Sequence, residues 1–224
     1  YLRRVSDYAG SAALQADIDR RDDFERDAMY RFVAHNSRAI THKVMGHQGE
    51  ALRHFYAAHE AAQQTDLPGP LITTLSNLGG YHQNLFNHED GRAMGEQALR
   101  MAREVGARQI VGNSAINLII AYHALGEPTQ ARAMAEFILT HPDEFLPGSL
   151  QRYALPLALG HLAVGEIDAA LRHLEAGAIG GVADGDGMSF WAWLKARCLL
   201  AQGQAAQARA VAEQTLLERR QQDL

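Results

Sequence analysis

Residues 126–139 read GEPTQARAMAEFIL, residues 165–177 read GEIDAALRHLEAG and residues 203–217 read GQAAQARAVAEQTLL. Each stretch opens with a glycine, and an alanine follows five residues later. The same spacing, with substitutions, extends upstream. We call the residues that open the six copies anchors, and they are spaced 38 to 40 residues apart: Ser6, Gly46, Phe86, Gly126, Gly165 and Gly203. A regular period of this length indicates a protein built from stacked structural repeats.

The anchors lie between segments with helical periodicity. Before Phe86, for example, Leu75, Leu78 and His82 follow one another at three- and four-residue intervals, and an alanine-rich segment follows each anchor. Small residues recur seven positions before the anchors, with Ile119 as the exception: Ala39, Gly79, Ala158 and Ala196. Such residues let two helices approach closely. The unit is therefore a helical hairpin, and the anchor glycine is expected to supply the positive φ of its turn.

The composition favours helices over sheets. The 224 residues include 38 alanines but only 25 β-branched residues, and 7% are aromatic. The 26 acidic residues are interspersed with 21 Lys and Arg, which argues against a nucleic-acid or membrane partner. No apolar run reaches the roughly 18 residues of a membrane span. A single cysteine, Cys198, excludes an internal disulfide and fits the cytoplasm, and its apolar neighbours predict a buried, inert thiol.

The hairpin motif resembles the tetratricopeptide repeat (TPR). The similarity is clearest at residues 77–79 (NLG) and 122–127 (YHALGE), and it covers nearly the whole chain. The sequence departs from the usual repeat in its period, normally about 34 residues, in the missing early Trp and in the lack of a consistent closing Pro. The resemblance implies an all-α fold, an α-solenoid with a right-handed superhelix of about five helix-turn-helix repeats and a partial N-terminal one.

We expect a single TPR-like domain over residues 1–224, and the lack of obvious capping repeats predicts that it is a fragment of a larger protein. The predicted units are a partial repeat at 1–27 and repeats at about 28–66, 70–106, 109–141, 149–178 and 188–220. Residues rich in Pro and Gly predict connectors at 66–70, 141–148 and 177–187. The long period is similar to that of arrays in bacterial signalling proteins, which implies the sensory or regulatory region of a diguanylate cyclase or a LuxR-type regulator.

No pattern in the sequence is typical of an enzyme. A Walker loop, a nucleophile elbow, HExxH and GxGxxG are all absent. His42 and His47 are five residues apart, as are His54 and His59, whereas two ligands on one helix usually need a spacing of four. We therefore expect no catalytic residues, no metal and no cofactor. The histidines four residues before an anchor are interpreted as hydrogen-bonded structural side chains: His42, His82 and His161.

In a solenoid, the first helix of each hairpin lines the concave side, so equivalent positions form ladders along a groove. Asn77 and Asn117 are 40 residues apart, each nine before its anchor. The resemblance to TPR grooves implies that their amides clamp the main chain of an extended peptide, since Asn both donates and accepts. The alternative is that they bond neighbouring helices. The other residues expected on this polar wall are Asn36, Thr73, Gln83, Asn84, Asn113, His123 and Arg152.

An aromatic end of the groove is expected from Phe190, Trp191 and Trp193, although at least one Trp should pack in the core. The leading function is a non-enzymatic scaffold that binds a protein or peptide ligand in the concave groove. The alternative is a structural module that self-associates as a homodimer, because the ends of an array expose apolar faces. A helical-toroid enzyme comes third and would require a closed ring around a deep acidic pocket.

Overall fold

The computed structural model describes Gly10 and residues 27–146, 153–179 and 185–222. Ten α-helices are bounded within these ranges: α1 (Ala28–Val44), α2 (Gln48–Gln63), α3 (Pro68–Asn84), α4 (His88–Glu104), α5 (Arg108–Ala124), α6 (Pro128–Thr140), α7 (Ala154–Ala163), α8 (Ile167–Ile179), α9 (Gly185–Ala201) and α10 (Ala205–Gln222). A 3₁₀-helix, Pro142–Glu144, follows α6. The described residues form no strand, and the predicted all-α helical-repeat fold is confirmed.

The chain divides into two compact units, unit 1 (Tyr1–Ile110) and unit 2 (Val111–Leu224). That the repeats together make one domain stays a prediction. No helix within the described ranges has the length and apolar character of a membrane span.

Every described anchor lies in the turn between the two helices of a hairpin. Its backbone is in the left-handed region, with φ of 76° at Gly46, 59° at Phe86, 73° at Gly126, 79° at Gly165 and 76° at Gly203. The backbone N–H of the residue after the anchor donates to the carbonyl of the residue four before the anchor. At the Gly46 anchor, His47 donates to His42 at 2.9 Å. This bond is typical of the Schellman motif, which ends a helix with a left-handed residue. The positive φ predicted for the anchor glycines is thus confirmed at these four, Phe86 adopts the same conformation without being a glycine, and Ser6 lies outside the described residues.

The core of unit 1 forms between successive helices. Helix α1 contacts α2, α2 contacts α3, and α3 contacts α4. One cluster comprises Ala39, Ala51, Phe55, Leu78 and Tyr81, each at most 2% exposed. The rings of Phe55 and Tyr81 have centroids 5.1 Å apart, and the Tyr81 hydroxyl donates to the Gln48 carbonyl at 2.9 Å. These contacts bury the apolar face of α3 against the preceding hairpin.

Small residues set the distance between paired helices. A Cβ placed on Gly79 of α3 would lie 3.1 Å from the backbone nitrogen of Gly95 in α4. In unit 2, a Cβ on Gly160 of α7 would lie 2.7 Å from the Cβ of Ala135 in α6. Both distances are shorter than an ordinary carbon contact of about 3.5–4.0 Å. The close approach predicted at Gly79 is therefore confirmed, and Ala39 and Ala158 at the same repeat position are fully buried.

In unit 2, helix α7 lies against both α6 and α8, and α9 contacts α7, α8 and α10. Leu157 of α7 and Leu174 of α8 are each 1% exposed. Contact between α7 and α9, like the contact between α1 and α3 in unit 1, joins the first helices of consecutive repeats. Equivalent positions on these helices are therefore neighbours within each unit.

Two predicted connectors are shorter in the structure. Helix α3 begins at Pro68, so residues 68–70 form its first turn. Proline suits this position because the first amides of a helix have no intrahelical acceptor. Helix α8 continues to Ile179 and α9 begins at Gly185, so the predicted connector 177–187 contains helix at both ends. Apart from Gly10 and Asp27, the partial repeat at 1–27 lies outside the described residues.

Candidate functional site

Four positions on the first helix of each repeat fall on one side. They lie 13, 10, 6 and 3 residues before the anchor, and spacings of three and four align side chains along a helix. We call this side the first-helix face. In unit 1 it comprises Val33, Asn36, Ile40 and Lys43 on α1 and Thr73, Ser76, Gly80 and Gln83 on α3; in unit 2 it comprises Asn113, Ile116, Ile120 and His123 on α5, Leu155, Leu159 and Leu162 on α7, and Phe190, Trp193, Arg197 and Leu200 on α9. Five of the polar residues predicted for the groove belong to it, as do Phe190 and Trp193 of the predicted aromatic end.

The structure brings Asn36 and Asn77 together. The Asn77 Nδ2 donates to Asn36 Oδ1 at 2.8 Å, and both side chains are half-buried. This bond joins α3 to α1 and thus the first helices of consecutive repeats. The interpretation that the amides bond neighbouring helices therefore describes this pair in unit 1. The bond uses one donor of Asn77 and one acceptor of Asn36, and each amide keeps further capacity.

The other predicted residues of α3 differ in exposure. The Thr73 hydroxyl donates to the Gly69 carbonyl at 2.8 Å in its own helix. Gln83 is 7% exposed and lies over Gly91, with its Oε1 2.7 Å from His88 Nδ1. Its Nε2 is buried without a hydrogen-bond partner among the described residues. Asn84 is exposed. Of Thr73, Gln83 and Asn84, only Thr73 and Asn84 thus have polar side-chain atoms at the surface of α3.

On α5, Asn113, Asn117 and His123 are half-buried. His123 contacts α9, with its Nε2 3.3 Å from Arg197 Nη1 and its ring edge-to-face with Trp193 at 6.3 Å. Burial, and secondly the charge of Arg197, lower the pKa of His123. Arg152, which would occupy the position of Asn113 in its own repeat, lies outside the described residues.

Helix α9 carries an aromatic and cationic cluster in unit 2. The rings of Phe190 and Trp193 are stacked at 5.7 Å with an interplanar angle of 14°, and the Arg197 guanidinium lies 5.0 Å from the Trp193 ring centroid. Trp193 is nevertheless 43% exposed. We call Phe190, Trp193, Arg197 and His123 the tryptophan patch. Its members restrain the indole while leaving one side of it open to solvent.

The second tryptophan has a structural position. Trp191 Nε1 donates to the Leu174 carbonyl at 3.1 Å, and the Lys195 ammonium lies 4.6 Å from its ring centroid. The expectation that at least one Trp packs in the core is not met, because Trp191 is half-buried and Trp193 is 43% exposed. Cys198 on the same helix is fully buried as predicted, and burial raises the pKa of its thiol.

Side chains also pair across the hairpin turns. The residue four before the anchor contacts the residue one after it. His161 Nδ1 lies 2.6 Å from Glu166 Oε2, and Asn87 Nδ2 lies 3.2 Å from His82 Nδ1. His82 also lies 2.9 Å from the Tyr56 hydroxyl. The predicted hydrogen bonds of His82 and His161 are therefore present in the structure, and a purely structural role for these side chains stays a prediction.

A group of titratable side chains lies around the first turn of unit 1. His42 Nδ1 is 3.3 Å from His47 Nδ1, and His35 Nδ1 is 3.0 Å from His54 Nδ1. One ligand atom each of His42, Glu50 and His54 lies within 4.8 Å of the others. The argument from a five-residue spacing fails for His42 and His47, because these residues flank a turn instead of sharing one helix, and their rings are in contact. The sequence feature that could have indicated this group is the four-residue spacing of Glu50 and His54, which places both side chains on one side of α2.

Burial shifts the pKa of His54 in this group, and an ion pair shifts that of Glu50. Desolvation lowers the pKa of His54 to about 4, with smaller contributions from the charges of His35, Arg53, Arg38 and His42. The Glu50 carboxylate pairs with Arg53, which lowers its pKa. At neutral pH, His54 is therefore a neutral imidazole and Glu50 an anion, which are the forms that bind metals.

Sequence and structure comparisons place the chain in a family. Tetratricopeptide-repeat profiles match residues 70–137 and, separately, residues 151–176 and 192–214, which together are more than half of the chain. The chain belongs to the tetratricopeptide-repeat family. Such repeats are protein-interaction scaffolds and are typically non-enzymatic. No curated protein matched the sequence.

The fold is shared with a solved structure, the crystal structure of BtubC (BKLC) from P. vanneervenii. The TM-score is 0.66 at 16% sequence identity, over 96% of this chain and 91% of that chain. At this identity the similarity supports the helical-repeat fold alone.

Proposed function

We propose that this chain is a non-enzymatic scaffold that binds an extended protein segment on its first-helix face, as the regulatory part of a bacterial signalling protein. The observation that carries the proposal is the exposed Trp193 in the tryptophan patch. Tryptophan and arginine are the residues most enriched among binding hot spots. An indole restrained by Phe190 and Arg197 loses little conformational entropy when a partner covers it, which favours affinity.

Amides on the first-helix face and next to it supply the complementary polar contacts. An extended segment presents peptide N–H and C=O groups that must be paired when they are buried. The Asn36 and Asn77 pair retains a donor on Asn36 and an acceptor on Asn77, which match the two groups of a peptide unit. Asn113 and Asn117 offer the same chemistry in unit 2. Arg152, Thr73, Asn84, His123 and the buried Gln83 complete the proposed set.

The test is a selection of displayed random peptides on the whole chain, followed by measurement of Kd by fluorescence anisotropy. Trp193→Ala should weaken binding by about 30-fold, which corresponds to the roughly 2 kcal/mol of a hot spot. Asn117→Ala should weaken it by about 5- to 150-fold, because a buried peptide group loses its partner at a cost of about 1–3 kcal/mol. Gln97→Ala, an exposed change on α4, is the matched control. Equal affinity of all variants would refute the site.

A second candidate function is self-association. Leu216 and Leu217 on α10 are 60% and 55% exposed. Exposed neighbouring leucines favour burial against another surface, and a second copy of the chain is one such surface. Light scattering at several concentrations tests this function. The double variant Leu216→Ser and Leu217→Ser should lower the mass of any dimer, whereas a wild-type chain that is monomeric at all concentrations excludes self-association through α10.

A further inference from the structure

The turn between α1 and α2 collects five side chains that can bind metals. His35 and His42 lie on α1, His47 precedes α2, and Glu50 and His54 lie on α2. Seven residues separate His35 from His42, and four separate Glu50 from His54. These intervals keep each pair on one side of its helix. The hairpin then faces the two pairs toward each other, and the rings of His42 and His54 stack at 5.5 Å with an interplanar angle of 17°.

The distances between ligand atoms suit a small metal ion. Two nitrogens bound to Zn²⁺ at about 2.0–2.1 Å with tetrahedral geometry lie roughly 3.4 Å apart. In the structure the rings of His42 and His54 instead contact neighbouring histidines, with the nitrogens of His42 and His47 3.3 Å apart and those of His35 and His54 3.0 Å apart. The candidate atoms of His42, Glu50 and His54 lie within 4.8 Å of one another. Binding one ion would require side-chain rotations that close these distances to about 3.4 Å and replace the contacts with His35 and His47.

The ligand types select the class of ion. Imidazole favours zinc, copper and nickel, whereas calcium and magnesium prefer sites made of oxygen ligands. His54 is 6% exposed, so the metal would complete the coordination of a ring that is already positioned. Arg53 pairs with Glu50, and Arg38 also acts on His54. Both guanidinium groups oppose a cation, and Glu50 must exchange Arg53 for the metal.

We infer that the α1–α2 hairpin is a binding site for one first-row divalent transition-metal ion such as Zn²⁺, with His42, Glu50 and His54 as its ligands. His35 and His47 are positioning residues that contact the two ligand rings. Binding joins α1 to α2 at the turn and so stabilises the hairpin that carries Asn36. The site lies in unit 1 and is independent of the proposed peptide-binding role.

The experiment uses the whole chain without an affinity tag. Titration with Zn²⁺ in a calorimeter should show one equivalent bound, and Co²⁺ should give the visible absorption of a tetrahedral site. His42→Gln and Glu50→Gln remove ligands at positions that are not buried, so the fold is retained and circular dichroism verifies it. Each variant should lose affinity by at least about tenfold. His141→Gln, an exposed histidine of unit 2, is the control and should bind as the wild type does.

A thermal readout separates this site from binding at scattered surface histidines. Zn²⁺ should raise the melting temperature of the wild type and of His141→Gln, and this rise should be lost in His42→Gln and Glu50→Gln. Absence of stoichiometric binding to the wild type overturns the inference. Binding that is unchanged in both ligand variants overturns it equally.

Discussion

Asn77 of α3 donates a 2.8 Å hydrogen bond to Asn36 of α1, 41 residues earlier in the chain. This bond joins two consecutive repeats through side chains at the surface of their first helices. Its position follows from the repeat, because a period of 40 residues places neighbouring first helices in nearly the same register. Asn36 lies ten residues before its anchor and Asn77 nine residues before its own, so the two amides bond diagonally across adjacent helices.

The amide pair should contribute measurably to stability. We expect Asn36→Ala and Asn77→Ala each to lower the free energy of unfolding by about 0.5–1.5 kcal/mol, the usual net contribution of a hydrogen bond. The double variant should lose less than the sum of the two, because the same bond is removed only once. Urea unfolding of the four proteins measures this coupling. Strict additivity would contradict a bond between the two side chains in solution.

Phe86 is the one anchor among the described residues that is not a glycine, and its replacement by glycine should stabilise the protein. Its φ of 59° places an L-residue in the left-handed region at 84% exposure. That conformation costs roughly 1–2 kcal/mol for a residue with a Cβ, part of which is offset by the greater entropy of glycine in the unfolded chain. Phe86→Gly should therefore raise the free energy of unfolding by about 0.5–1 kcal/mol, measured by urea unfolding.

Gly126→Ala is the reciprocal change. Its φ is 73°, and a Cβ placed there has no neighbour within 4 Å, so backbone strain is the main effect. We expect a loss of about 1 kcal/mol. Equal stability of Phe86→Gly and the wild type, together with a neutral Gly126→Ala, would show that the anchors do not require a positive φ.

The phase of the repeat was predictable from sequence, and the contacts between side chains were less so. Anchors such as Gly46 and Phe86 mark turns because the spacing recurs and a helical pattern flanks each one. The start of α3 at Pro68 was missed because proline both breaks a helix and suits its first turn. The contacts of His42 with His47 and His54 depend on how a turn folds back, which spacing along one helix does not describe.

Predicted groove residues illustrate the same limit. Asn77 was singled out for its place in the repeat, and the structure gives it a partner in the preceding repeat. Gln83 and His123 occupy equivalent positions three residues before an anchor, yet Gln83 is buried over Gly91 and His123 contacts α9. Since Gly91 lacks a side chain, it leaves space that the amide of Gln83 fills. Local neighbours of this kind vary between repeats even where the backbone repeats.

Gly160 should be intolerant of a methyl group. In Gly160→Ala, the new Cβ would lie 2.7 Å from the Cβ of Ala135 and 3.0 Å from the carbonyl oxygen of Ala131, so α6 and α7 must separate. Overpacking of a close contact costs about 1–3 kcal/mol, against a gain of about 1 kcal/mol in helix propensity. We expect a net loss of up to about 2 kcal/mol, measured by urea unfolding.

The control for this change is Gly49→Ala in α2. A Cβ on Gly49 meets no atom within 4 Å, so only the propensity gain of up to about 1 kcal/mol applies. The two substitutions are chemically identical and should have opposite signs. A stabilised Gly160→Ala would indicate that the α6–α7 contact yields without strain.

Acidification should weaken unit 2 through its partly buried histidines. Burial lowers the pKa of His173, and the charges of His161 and Arg172 lower it further. His161 stacks on this ring at 5.0 Å and also contacts Glu166, which in turn pairs with Arg132. In the unfolded chain a histidine titrates near pH 6.5. Below pH 6.5 the unfolded state binds protons that the folded state does not. The free energy of unfolding is therefore highest above this pH and decreases as the pH is lowered through it.

Urea midpoints at pH 7.5 and pH 5.5 measure this dependence. The wild type should have the lower midpoint at pH 5.5, and His173→Gln should reduce the difference because glutamine does not titrate. Arg197→Gln should act in the same direction through His123, whose pKa the Arg197 charge lowers in addition to burial. The pH range lies above the region where the lowered carboxyl pKa values of Glu50 and Glu166 contribute. Midpoints that match at the two pH values in the wild type would contradict protonation-linked unfolding, since each buried imidazole must take up a proton when it is exposed.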